Sequence, residues 1–107
     1  MPGQVPDTVR ACLEELTRRL ERELGDNLLE VRLFGSYARG EARPGSDVDV
    51  LVLVKNAPLR VRNTVSDVAA DVGLDHDLVI GTLTWDTERL REHERLDTLL
   101  LRNIRSE

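Results

Sequence analysis

Asp47 and Asp49 stand one residue apart at the head of the apolar run VLVLV, and ten residues separate Asp47 from a Gly35-Ser36 pair. Strand side chains alternate between faces, so on a strand both carboxylates project to one side while Val48 goes to the other. A rise of about 3.4 Å per residue leaves their backbones roughly 7 Å apart, and the side chains can converge on one cation. Two like charges that close raise each other's pKa and destabilise a fold, whereas a hard divalent cation makes them a ligand set. The pair therefore suggests Mg2+. Upstream, Gly35 lets the main chain approach an anion. The N–H groups of a short helix starting at Ser36, with the Ser36 hydroxyl, can bind phosphate oxygens. A nucleoside triphosphate held by its phosphates at Ser36 and through its metal by the aspartates accounts for both features. Two-metal transfer also calls for a third carboxylate that activates the attacking hydroxyl. Asp75 and Asp77 share one face of a short strand predicted over DHDLVIG. Asp77 is preferred, because it leads directly into Leu78, Val79 and Ile80.

These residues need elements to hold them. Val9, Cys12, Leu13, Leu16, Leu20 and Leu24 follow the spacing of one helical face, with Asp7 as its cap and Gly25 as its end. LLEVRLF alternates as a strand, Leu29, Val31 and Leu33 against Glu30, Arg32 and Phe34. Asp47 to Val54 offers apolar side chains to both faces and reads as a central strand. Asn56 to Pro58 break it. Val61, Val65, Val68 and Val72 predict a second helix stopped at Gly73, despite the poor helix propensity of valine. From Thr84, taken as an N-cap, the chain reads helical almost to its end, with a turn near His93 to Asp97. The order helix, strand, strand, helix, strand, helix describes a small α/β sandwich (α+β) with a short mixed sheet flanked by helices, one domain over 1–107.

Composition bounds the partners. In 107 residues, 40% are hydrophobic and 33% charged, with one Phe, one Trp and one Tyr, so the core must be mostly Leu and Val. Twenty acidic against 15 basic residues give a net charge of -5, which argues against long nucleic acid as the main ligand. The lone Cys12 excludes an internal disulfide and a cysteine metal cluster. No apolar segment resembles a signal peptide or a membrane span, so a soluble cytoplasmic protein is expected and a membrane is not a partner.

Asp-x-Asp alone is weak, and Gly-Ser alone is weaker. In combination, GSYARGEARPGSDVDVLV resembles the signature of the minimal nucleotidyltransferase (MNT) domains of the DNA polymerase beta-like superfamily, over Leu29 to about Ile80. Such domains commonly act as antitoxin partners of HEPN ribonuclease toxins. The resemblance implies that Gly35 and Ser36 bind the triphosphate, that Asp47 and Asp49 hold two Mg2+ ions, and that Asp77 completes the metal site and acts as base. It also implies ATP as substrate and transfer of AMP to a tyrosine hydroxyl of a HEPN toxin, in the manner of a type VII antitoxin. A protein acceptor suits an acidic enzyme without a basic channel. The other reading is a non-catalytic antitoxin that neutralises its toxin by occlusion. Modification of a small antibiotic is disfavoured, since it would need a further domain.

Other residues carry plainer expectations. Arg39 and Arg43 either steer the triphosphate or are solvated. Tyr37 is packing or rim, Cys12 is core, and His93 is an exposed helix residue. His76 points away from Asp75 and Asp77 on a regular strand. Trp85 anchors the last helix or contributes to a partner surface. The run Leu99, Leu100, Leu101 is wider than one helical stripe needs, consistent with a broad core face or an interface in a homo- or hetero-oligomer.

Overall fold

A computed structural model describes residues 5–107. Helix α1 (Asp7–Leu24) buries Val9, Cys12, Leu16 and Leu20, the stripe expected from their spacing. Pro6, not Asp7, holds its N-cap position. Asp7 is instead the first helical residue, where an acid favours the helix dipole, and it accepts a bond from Arg10 at 3.2 Å. After one 3-10 turn (Gly25–Asn27), β1 (Leu28–Phe34) leads to the short helix α2 (Ser36–Arg39). Strand β2 (Val48–Val54), helix α3 (Leu59–His76), strand β3 (Ile80–Asp86), helix α4 (Thr87–Leu96) and helix α5 (Leu99–Ser106) complete the order.

The sheet runs β1-β2-β3, with β1 antiparallel and β3 parallel to the central strand. Helices cover both faces, which is why β2 carries apolar side chains on both sides. On one face Val48, Val50, Val52 and Val54 pack with α1 and α3 through Leu16, Leu20, Val61, Val65 and Val72. On the other, Leu51 and Trp85 pack with Leu101 and Ile104 of α5, and Phe34, Leu53, Leu83 and Leu90 close around them. One extra residue in β1, between the pairs Leu28 with Val54 and Glu30 with Leu53, interrupts the alternation. Leu28 therefore reaches the large core and Leu29 is left 45% exposed.

Besides the α1 cap, three further boundaries differ from expectation. Helix α3 does not stop at Gly73 but runs through Asp75 and His76, and Asp77 caps it in the left-handed conformation (φ 54°). The Asp77 N–H donates to the Leu74 carbonyl and the Leu78 N–H to the Gly73 carbonyl, the paired bonds of a Schellman end. The third strand accordingly begins at Ile80 rather than Asp75, and it extends through Thr84 and Trp85. Asp86, not Thr84, caps α4, accepting from the Arg89 N–H at 2.7 Å. The turn expected near His93 to Asp97 is present, with Asp97 left-handed (φ 48°) and Thr98 capping α5.

Candidate active site

The antiparallel pairing of β1 and β2 sets Phe34 opposite Asp49, so the end of one strand and the start of the other meet. Gly35 follows at φ 82°, a region that side-chain-bearing residues rarely adopt. A Cβ there would collide with the Asp49 carboxylate, which fills the space that the glycine leaves open. On the other flank β3 sets Gly81 opposite Asp49, and a Cβ there would stand 3.5 Å from Asp49 Oδ1. Asp49 thus lies between Gly35, just past the end of β1, and Gly81 of β3.

The ten residues between Ser36 and Asp47 form two tight reversals. Helix α2 is a single turn ended by Gly40 (φ 73°), and the Glu41 N–H donates back to the Ser36 carbonyl at 2.9 Å. Tyr37 is buried in the large core and pins that turn to the sheet. Arg43 to Ser46 then make a second turn around Gly45 (φ 88°), in which the Arg43 N–H donates to Ser46 Oγ and the Ser46 N–H to the Arg43 carbonyl, each at 2.9 Å. The chain emerges into Asp47, exposed just ahead of β2, and Asp49, half-buried within it.

The two carboxylates interact. Burial foremost, and then the charge of Asp47, push the Asp49 pKa up, while Arg39 pulls it down and Glu107 adds to the rise. A hard-oxygen pair in which one member is disfavoured as an anion is the donor set that a divalent cation relieves, so the residues fit Mg2+.

Arg39 lies at the same place. Its guanidinium donates to Glu41 at 2.8 Å and to both oxygens of Glu107 at 3.1 Å. Glu107 Oε1 also accepts the Gly35 N–H at 2.9 Å. Sequence reasoning missed Glu107, which follows an amphipathic helix and belongs to no motif. Only the fold of α5 across the sheet brings it here.

The expected third carboxylate stands elsewhere. Asp77 is the left-handed residue ending α3 and lines a groove with Ala69, Gly73, Val79 and Ile80, while Asp75 is exposed on α3 itself. Among the described residues no group of three or more acidic, histidine or cysteine side chains is placed to hold a metal. His76, on the helix rather than a strand, contacts Glu15 at 3.2 Å. His93 is not a free helix residue: its ring stacks on Trp85 at 4.0 Å, and its Nδ1 lies 2.8 Å from the Thr98 hydroxyl. Of the three consecutive leucines, Leu101 is buried while Leu99 and Leu100 are exposed. No helix among the described residues is long and apolar enough to cross a membrane.

A family model described as a nucleotidyltransferase domain matches residues 13–102. The protein adenylyltransferase MntA of Thermococcus cleftensis is 34% identical over 76 residues, covering 69% of this chain and 75% of the relative. Two proteins of Methanocaldococcus jannaschii, each carrying a provisional protein adenylyltransferase name, are also similar. One is 38% identical over 74 residues, covering 68% of this chain and 75% of its own length. The other is 50% identical over 48 residues, covering 45% of this chain but only 33% of the relative.

Proposed function

We infer from its place in the nucleotidyltransferase domain family, to which the chain belongs by the match over residues 13–102, that it transfers AMP from ATP to a protein hydroxyl. The observation that carries this reading is the Asp49 carboxylate lodged against a glycine held at φ 82°, beside the second carboxylate of Asp47. A repelling acid pair costs stability, and the glycine leaves room for the Asp49 carboxylate to turn inward; a metal-bound nucleotide accounts for both.

In this reading Asp47 and Asp49 hold Mg2+, and Gly35, Ser36 and Arg39 bind the triphosphate. The metal, when bound, neutralises charge on the phosphates and favours ionisation of the attacking hydroxyl. The acceptor oxygen forms a bond to the α-phosphorus, the bond from that phosphorus to the bridging oxygen breaks, and pyrophosphate leaves. The hydroxyl proton passes to a carboxylate of the pair. The acceptor we propose is a tyrosine of a HEPN-type ribonuclease toxin, the protein acting as its antitoxin. Support comes from the sequence signature, from the adenylyltransferase names of the relatives, and from a net charge of -5 that suits a protein substrate better than a nucleic acid.

The test supplies ATP labelled at the α-phosphate, Mg2+ and the partner. Label should move to the partner with the parent chain and not with Asp47→Asn or Asp49→Asn. One observation favours a second reading, neutralisation by occlusion: among the described residues no third acid is grouped with Asp47 and Asp49 so as to hold a metal. Both variants protecting cells from the toxin as well as the parent would establish that reading and end the enzymatic one.

A further inference from the structure

Gly35 has one N–H to give, and in this structure it is given to a side chain of the same molecule. The acceptor is Glu107 Oε1 at 2.9 Å, and the same carboxylate takes the Arg39 guanidinium at 3.1 Å on each oxygen. The Glu107 side chain is only 6% exposed, although it lies close enough to Asp49 to raise that acid's pKa. A carboxylate withdrawn from water near Asp49 is an unfavourable placement unless its donors hold it. The donors here are a backbone N–H and a guanidinium, the pair that recognises phosphate oxygens as readily as carboxylate oxygens.

We propose that Glu107 is a built-in competitor for the nucleotide: its carboxylate occupies the anion position at Gly35 and Arg39, and the triphosphate must displace it to bind. This rests on the nucleotide reading of the site given above and names how that site is regulated. Competition is direct, because one N–H cannot serve a carboxylate and a phosphate oxygen at once. The displaced state is the binding-competent one, so apparent affinity is reduced by the fraction of molecules in which Glu107 is away. Glu107 follows α5, whose Leu101 and Ile104 are buried in the second core. Anything that shifts α5, a docking partner included, would therefore release the site.

The experiment titrates ATP with MgCl2 into the full chain, Glu107→Gln and Glu107→Ala by calorimetry, with thermal melts to verify folding. Loss of charge-assisted bonds of this kind corresponds to roughly ten- to a hundredfold tighter binding in both variants. Unchanged or weaker binding in folded variants overturns the proposal and leaves the nucleotide site standing. No binding by any of the three proteins overturns the nucleotide reading itself, and the competitor with it. A second measurement needs no nucleotide: the Gly35 amide resonance should move in Glu107→Gln, and an unmoved resonance would show that the contact is not made in solution.

Discussion

Two glycines flank Asp49, and they are not equivalent. At Gly35 a side chain meets the carboxylate itself, and φ 82° adds backbone strain of about 1–3 kcal/mol. At Gly81 an added Cβ meets Asp49 Oδ1 at 3.5 Å, an ordinary contact. Gly35→Ala should therefore lower the melting temperature and abolish ATP binding, while Gly81→Ala keeps the parent's melting temperature. Equal behaviour in the two variants would refute this account of the pocket. Asp49 predicts a pH dependence as well. Its pKa is raised in the folded state, so between the ordinary carboxylate value and the raised one the native chain keeps a proton that the unfolded chain has released. Stability contributed by that proton is whole below about pH 4 and is lost as pH climbs through the window. Asp49→Asn avoids the loss, so its stability advantage should be absent in acid and open as pH rises, and Mg2+ should narrow it by rescuing the parent. An advantage that is constant with pH would rule out the electrostatic cause. The acid pair and the Gly-Ser step were legible in sequence because residue type alone states their chemistry. Glu107 was not, since its role depends wholly on where a distant helix ends.

At the scale of elements, periodicity located the stripe of α1, both faces of β2 and the valine face of α3. It failed where a helix ended. Asp75, Asp77 and Val79 are spaced as alternate residues of a strand, yet Asp77 turns left-handed and closes α3. Gly73, which looked like a stop, is a contact: a Cβ there would stand 2.5 Å from the Leu78 carbonyl. Composition signals that a glycine is special without telling a stop from a close approach. Asp77 therefore carries a conformational duty that glycine performs better. Asp77→Gly should raise stability, by up to about 1 kcal/mol in denaturant melts, and should retain adenylyl transfer. A folded Asp77→Gly without activity would return Asp77 to the catalytic set. The start of α4 shows a related confusion. Thr84 is a good cap by type, but so is Asp86, and only the length of β3 decides between them.

Across the whole molecule the two faces of the sheet do different work. The large core under α1 and α3 lies on the face opposite Asp49, while the smaller cluster of Leu51, Trp85, Leu101 and Ile104 lies on its own face and carries α5 towards Glu107. Sequence patterning found the large core well but the smaller cluster only in part, since Leu99 and Leu100 of the leucine run are exposed and only Leu101 is buried, and burial has no address until the helices are docked. The faces can be separated by a pair of cavity variants. Leu16 is fully buried in the large core, and Leu16→Ala should cost about 2–5 kcal/mol of stability while the folded fraction binds ATP with the parent's affinity. Ile104→Val removes one methylene beneath α5 and should cost only about 0.5–1.5 kcal/mol, yet tighten ATP binding by loosening the hold of Glu107. Denaturant melts and calorimetry on the same preparations give both quantities. If affinity followed stability in both variants, the sheet would be a single cooperative support with no division of labour. If the milder variant alone changed affinity, the α5 face would be the route by which the rest of the molecule, or a partner seated on it, reaches the nucleotide.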